Sequence, residues 1–139
     1  MRNILFLIAV AAIITSCGSG TKPKEQATTP TTEIQKSSDI TEVLYFHGKK
    51  RCVTCNAIET LARNVIDSLA NEKVVLKIID ISKKENEAIA NKYEVTWSSL
   101  ILNRGEKIEN LTEMGFGYAK SQPEVFKAKL IEAIQNIEQ

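Results

Sequence analysis

Glu42-Val43-Leu44-Tyr45-Phe46-His47, then Gly48-Lys49-Lys50, then Arg51-Cys52-Val53-Thr54-Cys55: the fold turns on how this stretch is read. Its first part is an apolar, β-branched and aromatic run of strand length, and its second is a polar, basic turn. From Cys52 the periodicity becomes helical. Ile58, Leu61, Ala62, Val65, Ile66 and Leu69 fall on one apolar stripe, which predicts a helix from Cys52 to Ala70. A Cys-x-x-Cys pair therefore follows a strand and opens a helix.

That placement has chemical consequences. The start of a helix offers unpaired backbone N–H groups and the positive end of the helix dipole, and both favour thiolate over thiol. Two intervening residues on one helical turn also let the sulfurs meet, so a mixed disulfide on one can be resolved by the other. His47, Lys49, Lys50 and Arg51 form a basic collar just before Cys52: Lys49 and Lys50 read as a solvated turn, and His47 and Arg51 as either that or a further influence toward the thiolate.

Working outward, Val74 to Ile81 is a near-continuous apolar run with the length of a buried central strand in a parallel sheet. A short helix is expected over Lys83 to Lys92. Ser99 to Asn103, a turn at Arg104-Gly105-Glu106, and Lys107 to Thr112 read as a hairpin. Met114-Gly115-Phe116-Gly117-Tyr118 reads as a flexible apolar loop. Ser121 with Glu124, and Pro123 in the first turn, fit a capping box before a last helix carrying Phe126, Leu130, Ala133, Ile134 and Ile137. The order is β-α-β-α-β-β-α, and strands alternating with helices predict an α/β domain: a central mixed sheet with helices on both faces.

In this order, with Cys52-x-x-Cys55 at the first helix start, the chain resembles the thioredoxin-like family over residues 39–139. The resemblance implies a three-layer α/β/α fold and thiol-disulfide exchange, with Cys52 as exposed nucleophile, Cys55 as buried resolving thiol, and a redox-active Cys52–Cys55 disulfide. It implies no organic cofactor, and it implies protein thiols and a redox partner as the molecules met. The chain departs from the family at four places. Arg51 stands where thioredoxins have tryptophan, and Val53-Thr54 where they have Gly-Pro. The family's cis-proline beside the cysteines falls on Ser98 or Ser99, the chain's prolines being Pro23, Pro30 and Pro123. A cis bond without proline costs about 2.5–4 kcal/mol, so a trans bond is expected there. The family's buried acid on the first strand is also missing from Tyr45-Phe46-His47, leaving proton transfer to water, His47 or another group brought in by the fold. Trp97 and Tyr93 are placed either to wall the site or to fill core.

Ahead of this domain, Arg2 precedes an apolar run from Ile4 to Ile14, about half of the roughly 20 residues a spanning helix needs. Ile14-Thr15-Ser16-Cys17-Gly18 follows it and resembles the lipobox of bacterial lipoproteins. Residues 1–16 are then a signal peptide, and Cys17 is the lipidation site and membrane anchor. Residues 17–38, rich in Ser, Thr, Lys and Gln, form a flexible tether with a span of roughly 25 Å. Gly18 after the cysteine, and no acidic cluster, point by sorting rules to the outer membrane, facing the periplasm.

Composition narrows the rest. The chain has 139 residues, 43% hydrophobic, with a formal net charge of +1, the balance of an ordinary globular domain and not of a nucleic-acid binder. A monomer is expected. With one histidine and three cysteines, a zinc site would have to recruit carboxylates, and no metal site is assigned. Two alternatives to exchange stand: a soft-metal module holding Cu(I) through Cys52, Cys55 and His47, and an adaptor whose disulfide is structural.

Overall fold

Strand β1 (Thr41–His47) is the axis of the fold, with Val43, Leu44, Tyr45 and Phe46 all fully buried. Successive strand side chains point to opposite faces, so a run buried throughout needs a layer on each side. The computed structural model describes residues 39–139; the signal peptide, Cys17 and the tether lie outside the described residues.

After β1 come α1 (Val53–Leu69), β2 (Val74–Asp80), a short 3-10 turn (Lys84–Asn86) running into α2 (Glu87–Lys92), β3 (Ser99–Arg104), β4 (Lys107–Asn110), α3 (Thr112–Tyr118) and α4 (Pro123–Ile137). The four strands form one mixed sheet in the order β2-β1-β3-β4. β1 and β2 are parallel, with Thr41 opposite Val74 and His47 opposite Asp80. β3 runs antiparallel to β1, pairing Phe46 with Ser99, and the β3–β4 hairpin closes at Gly105, whose φ of 59° a side chain would strain.

On one face Val43, Tyr45, Leu100 and Leu102 pack with Ile58, Ala62 and Val65 of α1 and with Phe126, Leu130 and Ile134 of α4. On the other, Leu44, Phe46 and Ile101 meet Ile79, Val95, Ile89 and Tyr93, the layer built by α2. Each fully buried Leu, Ile or Phe here contributes about 1.5–3 kcal/mol from its removal from water. The result is the thioredoxin-like three-layer α/β/α arrangement around a mixed sheet.

Several details differ from expectation. β2 is parallel to β1 as expected, but among the described residues it is an edge strand; β1 and β3 hold the centre, and several β2 side chains are only half-buried. The segment read as a flexible loop is instead α3. Asn110 Oδ1 accepts the Thr112 N–H at 3.0 Å and opens the turn, while Gly115 is buried where an added Cβ would lie 3.4 Å from Ile58 Cδ1. These glycine-flanked apolar residues thus serve close packing. Ser121 does not cap α4, because its hydroxyl donates to Gly117 O at 2.9 Å and so closes α3.

At the start of β1, Arg104 gathers the incoming chain. Its guanidinium donates to Asp39 O at 3.0 Å and Thr41 Oγ1 at 3.1 Å, and pairs with Asp39 and with Glu138 after α4. Lys73 adds an ion pair to Asp39 at 3.2 Å.

Candidate functional site

At the opposite end of β1 the chain turns through Gly48 to Arg51 and enters α1. Cys52 is the N-cap of this helix, extended at φ −81° and ψ 169°, and its sulfur accepts the Cys55 N–H at 3.1 Å. One of the helix's orphan donors is thereby satisfied by sulfur where Ser or Asp usually serves. One turn later the Cys55 sulfur lies 2.7 Å from the Cys52 sulfur, so the two share a hydrogen bond as free thiols. Cys52 is exposed, and Cys55 is buried.

Burial works against ionising Cys55, but hydrogen bonds with Cys52, Ser98 and Tyr45 outweigh it and hold the thiol below its usual value. With one proton shared between two sulfurs, the preference for a monoanion belongs to the pair. Solvent reaches that pair at Cys52.

The other expected site residues divide. Ser98 is brought to the dithiol: the Cys55 thiol donates to its Oγ at 3.9 Å. Ser99 is not; it is buried and donates to Trp97 O at 3.1 Å. Of the two serines Ser98 is thus the one that reaches the dithiol, and every described peptide bond is trans. Trp97 is 59% exposed, packs on Phe116 of α3 with ring centroids 5.5 Å apart, and stands beside Ser98; Val53, 70% exposed, follows Cys52. Tyr93 is core of the α2 layer, against Phe46 and bonded to Asn103 Oδ1 at 2.6 Å.

The basic collar does not gather on the nucleophile. Arg51 turns back to Glu59, with which it forms a hydrogen-bonded ion pair, and its guanidinium carbon lies 5.9 Å from the centre of the Tyr45 ring. Glu59 is also held by Arg63 at 2.8 Å. Desolvation would push the Glu59 carboxyl up, but the two guanidinium groups hold it below the usual carboxylate range. Lys49 and Lys50 are exposed. His47 Nδ1 lies 3.1 Å from Gly48 O, and no group of three or more His, Cys, Asp or Glu able to hold a metal ion occurs among the described residues.

Three residues of the site had no signal in the sequence. The Tyr45 hydroxyl, deep in an apolar strand, donates to Cys55 O at 2.9 Å. Glu59 sits on the polar side of an amphipathic pattern, and Phe116 in a stretch read as loop.

The comparisons with known proteins speak to the fold. No family model matches the chain, and no curated protein matches it. Among solved structures it is similar to one described as the structure of a malarial protein, with a TM-score of 0.50 and 21% identity, over 70% of this chain and 96% of that one. No helix among the described residues is long and apolar enough to cross a membrane.

Proposed function

We propose that this protein is a thiol-disulfide oxidoreductase of the thioredoxin-like kind, held in the bacterial cell envelope by a lipid on Cys17 and acting on protein disulfides. The observation that carries the reading is the sulfur pair: an exposed Cys52 at a helix N-cap, 2.7 Å from a buried Cys55. As a reductant, the Cys52 thiolate attacks one sulfur of a substrate disulfide and expels the other as a thiolate. Cys55 then attacks the Cys52 sulfur of the mixed disulfide, forming Cys52–Cys55 and releasing the second substrate thiol. Two electrons pass from the dithiol to the substrate, and the reverse sequence oxidises a dithiol. The direction in the cell follows from the potential of the pair relative to its partners. Trp97, Phe116 and Val53 supply an apolar rim for a protein substrate.

The test is a redox titration of the purified protein in glutathione and dithiothreitol buffers, read by alkylation and mass. The expected result is a reversible two-electron transition at Cys52 and Cys55, with Cys52 alkylated faster. Absence of a disulfide, together with stoichiometric copper that is lost in Cys52→Ser, would replace the proposal with metal binding.

A further inference from the structure

The proposed exchange leaves one task unassigned: readying a buried thiol to attack. Resolution requires Cys55 to lose its proton as its sulfur bonds to Cys52, and the end of β1 beneath it, Tyr45-Phe46-His47, has no carboxylate. Resting on the oxidoreductase reading, we infer that Tyr45, braced by Arg51 and Glu59, is the positioning residue that prepares Cys55 as the resolving thiol.

The geometry is specific. Tyr45 is fully buried on β1, and its hydroxyl donates to the main-chain oxygen of Cys55 at 2.9 Å, which pins the first turn of α1. The same hydroxyl interacts with the Cys55 side chain. A phenolic O–H rotates freely, so its hydrogen can swing from the carbonyl oxygen to the sulfur as charge builds there. Behind it the Arg51 guanidinium carbon lies 5.9 Å from the centre of the Tyr45 ring, and Glu59 fixes Arg51. A cation held against the ring favours negative charge on the phenol, which polarises the O–H and makes it a stronger donor. Burial, then the neighbouring Cys55, raise the ionisation of Tyr45 well above the ordinary phenol value, so the hydroxyl keeps its proton and acts as donor, not base.

The other titratable groups around Cys55 are few. Cys52 faces it from the cap, Ser98 offers a hydroxyl from before β3, and His47 lies beyond Tyr45 with ring centroids 6.2 Å apart and its Nδ1 at Gly48 O. In the step itself the Cys55 S–H bond and the mixed disulfide break, Cys52–Cys55 forms, and the proton leaves with the departing substrate thiol. Tyr45 stabilises the sulfur between those events and is unchanged by them.

The experiment is a single turnover with an aromatic disulfide, Ellman's reagent, added to the reduced protein. Attack by Cys52 releases the first coloured thiolate, and attack by Cys55 releases the second. Tyr45→Phe keeps the ring and removes the donor. The expected result is an unchanged first release and a second release slowed about tenfold, the size of a lost hydrogen bond to a charged group, with its pH profile moved to higher pH. Arg51→Gln, which leaves the core intact, shifts the same profile in the same direction by a smaller amount. If wild type resolves but both variants keep its rate and pH profile, Tyr45 only packs and the inference is wrong. If wild type gives no second release, the oxidoreductase reading falls as well.

Discussion

The Ser98 hydroxyl stands 3.9 Å from the Cys55 sulfur, while the Tyr45 hydroxyl holds the main-chain oxygen of the same residue. A hydroxyl here stabilises a thiolate on Cys55, and through it the reduced form of the pair. Ser98→Ala is therefore expected to make the protein slightly more reducing, lowering its potential by about 10–20 mV, the equivalent of a weak hydrogen bond of about 0.5–1 kcal/mol. Equilibration against glutathione measures it, and a rise in potential would contradict the assigned contact.

Acid should loosen the start of α1 through Glu59. Its carboxyl is held below the ordinary value of 4.5, so its contribution to stability is fully present above that pH and is lost as pH falls through the lower folded-state value. The partly buried pair with Arg51 makes this about 1 kcal/mol. Urea unfolding at a series of acidic pH values should show a decline in wild type that is shallower in Glu59→Gln.

Trp97 is more than half exposed, so little stability depends on it, while its ring stacks with Phe116 and it directly precedes Ser98, the neighbour of Cys55. Trp97→Ala should change unfolding free energy by less than about 1 kcal/mol. Reduction of a protein disulfide should fall several-fold, as when an aromatic anchor is removed, with exchange against glutathione left as it was. Equal loss on both substrates would place Trp97 in the chemistry instead of the docking rim.

Ala70 ends α1 at φ 46° and ψ 35°, a left-handed conformation that suits glycine. Ala70→Gly should raise stability by about 0.5–1 kcal/mol, seen as a later midpoint in chemical unfolding. The dithiol lies at the far end of the helix, and its potential should not move.

In α3 the helical Gly115 has room for one methyl group, with Ile58 Cδ1 at 3.4 Å and Leu100 Cδ2 at 3.7 Å from the added carbon. Gly115→Ala is expected to gain about 0.5 kcal/mol from helix propensity and contact. Gly115→Val, which branches into the same atoms, should cost more than 1 kcal/mol. Thermal unfolding of the two variants separates them.

What could be read from the chain was whatever follows a period or a fixed spacing. The apolar run of β1, the stripe of α1 and the Cys-x-x-Cys at their junction led to the layered fold and the sulfur pair. Composition could not locate β2, because an apolar strand at a sheet edge and one at its centre differ by neighbours contributed from elsewhere. Met114 to Tyr118 looked like a loop since glycine marks both flexibility and close packing, and only Ile58 across the gap distinguishes them. The fate of Arg51 was equally hidden. Its charge stands next to Cys52 in sequence, yet Glu59, two turns along α1, claims it.

The grip of Arg104 on Asp39 and Thr41 fixes more than a chain end. β1 is seven residues long, so roughly 20 Å of strand separates that grip from the turn leading to Cys52. The ion-paired cluster and the dithiol thus stand at opposite ends of one strand. Glu138 shares the end that Arg104 holds. A reporter fused after α4 would sit at that end and leave the thiols clear.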